Sequence, residues 1–150
     1  MTDDYNLIEF PPMKKYEFIN HTADLGLKIR GNTVPELFEN AAWAMFDILV
    51  DLSGVSCREQ MELIVESEGW DELLADWLRK LLSQFNGYEY VFKIFKVEKI
   101  DKFRLEATVC GEKLNLKKHR LKTEIKAVTY HGLQVKREMK GWQAQVIFDI

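Results

Sequence analysis

Five separate stretches of this chain alternate apolar and polar residues with a period of two, and they come in runs. Leu25, Leu27 and Ile29 alternate with Gly26, Lys28 and Arg30. Met61, Leu63 and Val65 alternate with Glu62, Ile64 and Glu66. Phe103, Leu105, Ala107 and Val109 follow the same rule, as do Trp142, Ala144, Val146 and Phe148. Tyr16 to Asn20 is a shorter case, with Tyr16, Phe18 and Asn20 on one side. Each pattern is that of a strand with one face buried. The aromatic and β-branched segment Tyr90–Val97 reads as a further strand. Val135–Glu138 pairs with Trp142–Phe148 as a hairpin over Met139-Lys140-Gly141.

Only two stretches carry the helical period. Leu37, Phe38, Ala41, Ala42, Met45, Phe46 and Leu49 recur at helical spacing. They follow a Thr33-x-x-Glu36 capping box with Pro35 in the first turn, and Ala41-Ala42 permits close approach to a sheet. Leu73, Leu74, Trp77, Leu78, Leu81, Leu82 and Phe85 mark a second buried stripe, which Gly87 is expected to end by taking positive φ. Strands in runs, not alternating with helices, imply an α+β fold. The simplest arrangement is two helices packed on a largely antiparallel sheet of about seven strands. Residues 1–14, with Asp3, Asp4, Pro11 and Pro12, read as a flexible N-terminal tail. Residues 15–150 read as one domain, which at this length buries a sufficient core without staples.

Composition removes several function classes. No apolar run approaches the roughly 20 residues that span a bilayer, and the acidic start does not read as a signal peptide, so a cytoplasmic protein is expected. The formal net charge is −3, from 21 basic and 24 acidic residues. A chain that grips RNA by its phosphates carries a basic excess, so RNA is expected to be reached only through a partner. The basic run from Lys113 to Lys122 reads as a solvated loop. Cys57 and Cys110 form no CxxC pair and read as two small buried hydrophobes in a reducing compartment. Trp77 falls on a buried stripe. Trp43 and Trp70 lie off it and read as packing against helix edges.

The candidate chemistry sits at the chain's two ends. His21 and Asp24 bracket the tight turn Thr22-Ala23-Asp24. An aspartate there either bonds local N–H groups or ligates a metal. The chain closes on Phe148-Asp149-Ile150, setting a carboxylate beside the terminal α-carboxylate. That end either frays into solvent or is neutralised by a cation, because adjacent anions repel. Asp24 would add a third oxygen donor, the type that calcium and magnesium prefer. Lys126-Ala127-Val128-Thr129-Tyr130-His131 mixes a lysine, hydroxyls and an imidazole. His119 and His131 are further candidate ligands, although a lone histidine is more often a surface or core residue. No GxSxG, HExxH, Walker glycine loop or GxGxxG is present.

The segment Tyr16 to Leu27, through His21-Thr22-Ala23-Asp24, resembles the opening of the archeases. Gly31, Thr33 and Glu36 to Ala42 continue the likeness. Lys126 to His131 and Val146-Ile147-Phe148-Asp149-Ile150 resemble the archease C-terminus, whereas 51–110 is generic. The resemblance implies a protein that is not itself an enzyme. It implies an activator of an RtcB-type tRNA-splicing RNA ligase, promoting ligase guanylylation and turnover. It implies a divalent cation, calcium or magnesium, held by Asp24, Asp149 and Ile150. His21, Lys126 and His131 are candidate supporting or partner-contact residues. Two other readings compete: an independent metal-dependent hydrolase, and a metal-free chaperone or scaffold using exposed aromatics.

Overall fold

The computed structural model describes residues 15–19 and 24–150. The expected tail at 1–14 and the candidate His21 lie outside the described residues. The element order is β1 (Tyr16–Ile19), β2 (Leu25–Gly31), α1 (Val34–Leu49), a 3-10 turn (Leu52–Gly54), β3 (Glu59–Glu66), α2 (Trp70–Tyr88), β4 (Tyr90–Asp101), β5 (Arg104–Lys113), β6 (Ala127–Val128), β7 (Gln134–Glu138) and β8 (Gly141–Asp149). The α+β class holds. The strands divide between two antiparallel sheets instead of one. A five-stranded sheet runs β1-β2-β8-β6, with β7 also paired to β8, and a three-stranded sheet runs β3-β5-β4. Sequence reading missed β6, since two residues are too few to show a period.

α1 contacts β2 and β8 of the first sheet and β4 of the second. A helix with a sheet on each side needs more than one apolar stripe. All seven residues expected to face the core are buried, and Ala44 and Ile48 widen the buried surface. The helix starts where the capping box puts it. Thr33 Oγ1 accepts the Glu36 N–H at 3.2 Å, and the Glu36 carboxylate accepts the Asn32 N–H at 3.0 Å. That second bond falls one residue before the cap itself, a small departure from the usual box. Gly31 is required just ahead of it, because a Cβ there would run into the Leu37 backbone nitrogen.

α2 packs on α1 and on strands of both sheets. Trp77 is fully buried, and its Nε1–H donates to the Phe38 carbonyl oxygen at 2.9 Å, tying the helices together. Trp43 and Trp70 are half-buried: Trp43 packs beside Tyr16, and Trp70 packs between Phe38 and Trp142. The helix does not stop at Gly87. It continues to Tyr88, and Glu89 takes the left-handed conformation (φ 59°, ψ 38°), its N–H reaching Gln84 O and Phe85 O. The Glu89 carbonyl in turn accepts the Leu114 N–H at 2.7 Å. This anchorage holds a non-glycine residue in a region that ordinarily favours glycine.

The cysteines are the main correction. Cys57 and Cys110 form a disulfide with their Cα atoms 5.2 Å apart, and Cys57 is exposed. They are 53 residues apart in sequence. The β3–β5 ladder sets Gln60 opposite Cys110, which returns the segment just before β3 across that position.

The same outer face of β5 carries a buried carboxylate. Glu112 is 6% exposed, and Ser56 N–H, His119 Nε2 and Lys118 Nζ lie 2.8, 2.8 and 2.9 Å from its Oε2. Arg58 Nε stands 3.3 Å from Oε1. His119 is itself buried, and its Nδ1 accepts the Asn115 N–H at 2.9 Å. β5 thus extends to Lys113, beyond its expected end, and 114–122 is a fastened loop. Burial pushes the Glu112 carboxyl up. The Ser56 N–H, then Lys118 and His119, outweigh it and hold the group down, from 4.5 to about 2.

Reducing the disulfide, or Cys57→Ser, is expected to lower stability by about 2–4 kcal/mol, because the bridge closes a long loop in the unfolded chain. Urea titration with and without reductant measures it. Glu112 has a depressed folded-state pKa, so its contribution is complete above about 4.5 and disappears as pH falls toward about 2. Glu112→Gln is therefore expected to destabilise at pH 7 and to converge with the parent protein near pH 2, in melting curves collected across that range.

Candidate metal centre

β8 is the central strand of the first sheet, and its pairing with β2 builds the site. The register runs Leu25↔Phe148, Gly26↔Ile147 and Leu27↔Val146. The ladder ends at that first pair, which brings the start of β2, just after Asp24, beside the end of β8 that carries Asp149. The physical reason for this register is the core. Leu27, Ile29, Ala144, Val146 and Phe148 are all at most 1% exposed on one face. A slip by one residue would turn that whole set outward. The outer face of β8 carries Gln143, Gln145, Ile147 and Asp149 by alternation.

Asp24 is half-buried and Asp149 is exposed, and the terminal residue Ile150 is 42% exposed. Asp24 and Asp149, next to the paired ends of β2 and β8, carry carboxylate oxygens. That chemistry suits a hard divalent cation such as calcium or magnesium. Among the described residues, no three His, Cys, Asp or Glu side chains gather as a metal cluster.

β6 closes the other side of β8. Ala127 pairs with Asp149, and the Lys126 N–H donates to the Asp149 carbonyl oxygen at 2.7 Å. Lys126 therefore joins the site through its backbone, and its side chain lines a recess of about 240 Å³ with Arg79, Ser83 and Asn86 of α2. His131 lies in the turn between β6 and β7. That turn is fastened to β8: the Gly132 carbonyl accepts from Gln145 Nε2 at 2.8 Å, and Thr129 N–H donates to Ile147 O at 3.0 Å. Gly132 has φ 67°, and a Cβ there would press on Gln145 and on Ile147 Cδ1. The contact with Ile147 puts the His131 turn over the face that carries Asp149.

His119, the other histidine raised by sequence, is committed to Glu112 on the second sheet. Sequence reading missed Glu112 itself, and only the buried pairing with His119 reveals it. Arg79 is a second residue that the sequence did not signal. Its Nη2 donates to the Val128 carbonyl at 2.8 Å, and its guanidinium lies 3.8 Å from the Tyr130 ring centroid. It thereby ties α2 to the strand and turn beside the carboxylates.

The molecule is thus a small two-sheet α+β protein whose first and last long strands meet at an acidic end. Residues 16–150 match the model of the archease protein family (MTH1598/TM1083). The chain belongs to the archease family. It is 43% identical to the archease of Methanosarcina mazei over 141 residues, covering 91% of this chain and 97% of that one. Identity to the Pyrococcus abyssi archease is 39% over 142 residues, covering 92% and 100%. The solution structure of Methanobacterium thermoautotrophicum protein 1598 superposes with a TM-score of 0.77 at 36% identity, covering 92% of this chain and all of that one. The crystal structure of a Thermotoga maritima archease, described as a possible chaperone, gives a TM-score of 0.64 at 25% identity, covering 88% and 94%.

Calcium or magnesium is expected to raise the melting temperature in proportion to the logarithm of its concentration above Kd. If Asp149 is a ligand, Asp149→Asn is expected to abolish that shift. Differential scanning fluorimetry across a metal series checks both.

Proposed function

We propose that this chain is a metal-binding accessory protein that activates an RtcB-type RNA ligase, promoting ligase guanylylation and turnover in tRNA splicing. It acts in the cytoplasm and is not itself catalytic. The observation that supports the reading is the β2–β8 register, which pairs Leu25 with Phe148 and so brings the residues next to them, Asp24 and Asp149, to one end of the sheet. Membership of the archease family supports it. A calcium or magnesium ion held by Asp24, Asp149 and Ile150 supplies positive charge, which the three oxygen donors alone would lack. The protein's own contribution is position. The β2–β8 ladder holds the donors, β6 braces Asp149 through Lys126, and the His131 turn borders the face. An acidic tip of this kind can enter a partner's nucleotide site and arrange metal and phosphate there.

The hydrolase alternative would use the same carboxylates to activate water. The chaperone alternative draws on the description of the Thermotoga maritima relative, and it needs no metal.

A guanylylation assay of an RtcB-type ligase, with this protein and a series of divalent metals, tests the proposal. Stimulation should depend on metal, and Asp24→Ala or Asp149→Asn should each reduce it by at least roughly tenfold, the lower end of the scale for disturbing a metal site. Full stimulation by both variants, with unchanged circular dichroism, would refute the proposed role of the tip. Phosphoester hydrolysis by the isolated protein would favour the hydrolase instead.

A further inference from the structure

We infer that the loop 113–122, together with Arg58 and Tyr88, is a surface for single-stranded RNA, so that this chain contacts RNA itself. Overall charge pointed the other way, toward RNA reached only through the ligase. Binding depends on where charge is concentrated, and the fold concentrates it. Lys113, Lys117, Lys118, Arg120 and Lys122 fall within ten residues that contain no acid, in a chain of net charge −3.

The loop is built, not merely solvated. The Lys118 and His119 N–H groups donate to the Asn115 carbonyl, and the Lys117 N–H donates to Asn115 Oδ1. Leu114 is tied to Glu89, and His119 is buried against Glu112. One wall of an open cleft of about 840 Å³ is formed this way, with Arg58 opposite. Glu112 and the exposed Glu59 also line the cleft; Lys118, Arg58 and its other partners satisfy Glu112, and basic residues still outnumber acidic ones in the lining. Lys117 and Arg120 are exposed, and neither side chain is needed to hold the loop's shape. Lys113 is steered, its Nζ donating to the Tyr88 carbonyl at 2.7 Å and lying 4.5 Å from the Tyr90 ring centroid.

Tyr88 decides between RNA and an acidic protein. It is 61% exposed at the end of α2, beside Lys113. A basic surface with an exposed aromatic residue whose backbone carbonyl Lys113 bonds matches a strand whose phosphates meet lysines and whose base stacks on a ring. An acidic polypeptide would use the charges and leave the ring idle. The surface lies at the same end as the carboxylates. Past the loop, Lys122 and Thr123 bond the last carbonyls of α1, and Lys126 bonds Asp149. A strand lying on the loop would lead toward that end.

The test uses the isolated full chain, a labelled unstructured RNA oligonucleotide and fluorescence anisotropy, with no ligase present. It therefore succeeds or fails independently of the proposed ligase role. About three phosphate contacts, at about −0.7 each, predict a slope near −2 for log K against log salt. Lys113→Glu with Lys117→Glu should weaken binding by at least about tenfold and flatten the slope. Tyr88→Ala should weaken it about tenfold with the slope unchanged. The proposal is overturned by absence of binding at low salt, by full affinity in the lysine variants with fold retained, or by indifference to Tyr88→Ala. It is equally overturned if polyglutamate of matched charge binds more tightly than the RNA.

Discussion

Everything at the acidic end depends on the pairing of β2 with β8. These two strands are among the most distant in sequence, and hydrophobic burial decides how they align. Leu27 and Ile29 on one, Val146 and Phe148 on the other, are fully withdrawn from water. Each such side chain contributes about 1.5–3 kcal/mol, so burial of all of them fixes the register. The start of β2 after Asp24 and the end of β8 at Asp149 are brought together because the core beneath them dictates it.

The rest of the molecule holds that ladder still. α1 has a sheet on each side, which explains why its buried surface is wider than a single stripe. The Trp77 bond to Phe38 sets α2 against α1, and Arg79 carries the position of α2 to β6 and its following turn. The second sheet lies away from the carboxylates and carries its own fastenings, the disulfide and the Glu112 cluster. Stability and candidate chemistry are thus largely separated in space. The basic loop that Glu112 and His119 pin is the exception, because it joins the second sheet back to the carboxylate end.

Much of this was legible in the chain. Alternation located the long strands, and helical periodicity with a capping box located α1 to within a residue of its start. The end of α2 was misplaced because glycine was assumed to be the residue that turns left-handed. Glu89 does so instead, its N–H and carbonyl both engaged. The two-residue β6 left no periodic trace. The cysteines were read as unrelated because their separation of 53 residues carries no local signal. Among site residues, Asp24, Asp149, Ile150, Lys126 and His131 were all singled out from sequence. The register brings the strand ends next to the first two together, and the His131 turn borders the face that carries Asp149. His21 lies outside the described residues.

Local patterns depend on neighbours a few residues away, so the sequence by itself determined the strands, the helices, which face of each is apolar, and that carboxylates stand near both ends. It also carried the likeness to the archease family. The division into two sheets, the disulfide, the burial of Glu112 with His119, and the pairing of β2 with β8 were decided by tertiary structure. All of these join segments far apart in the chain. Their partners are selected by the burial of a shared core, a property of the whole packed molecule that no single window of sequence contains.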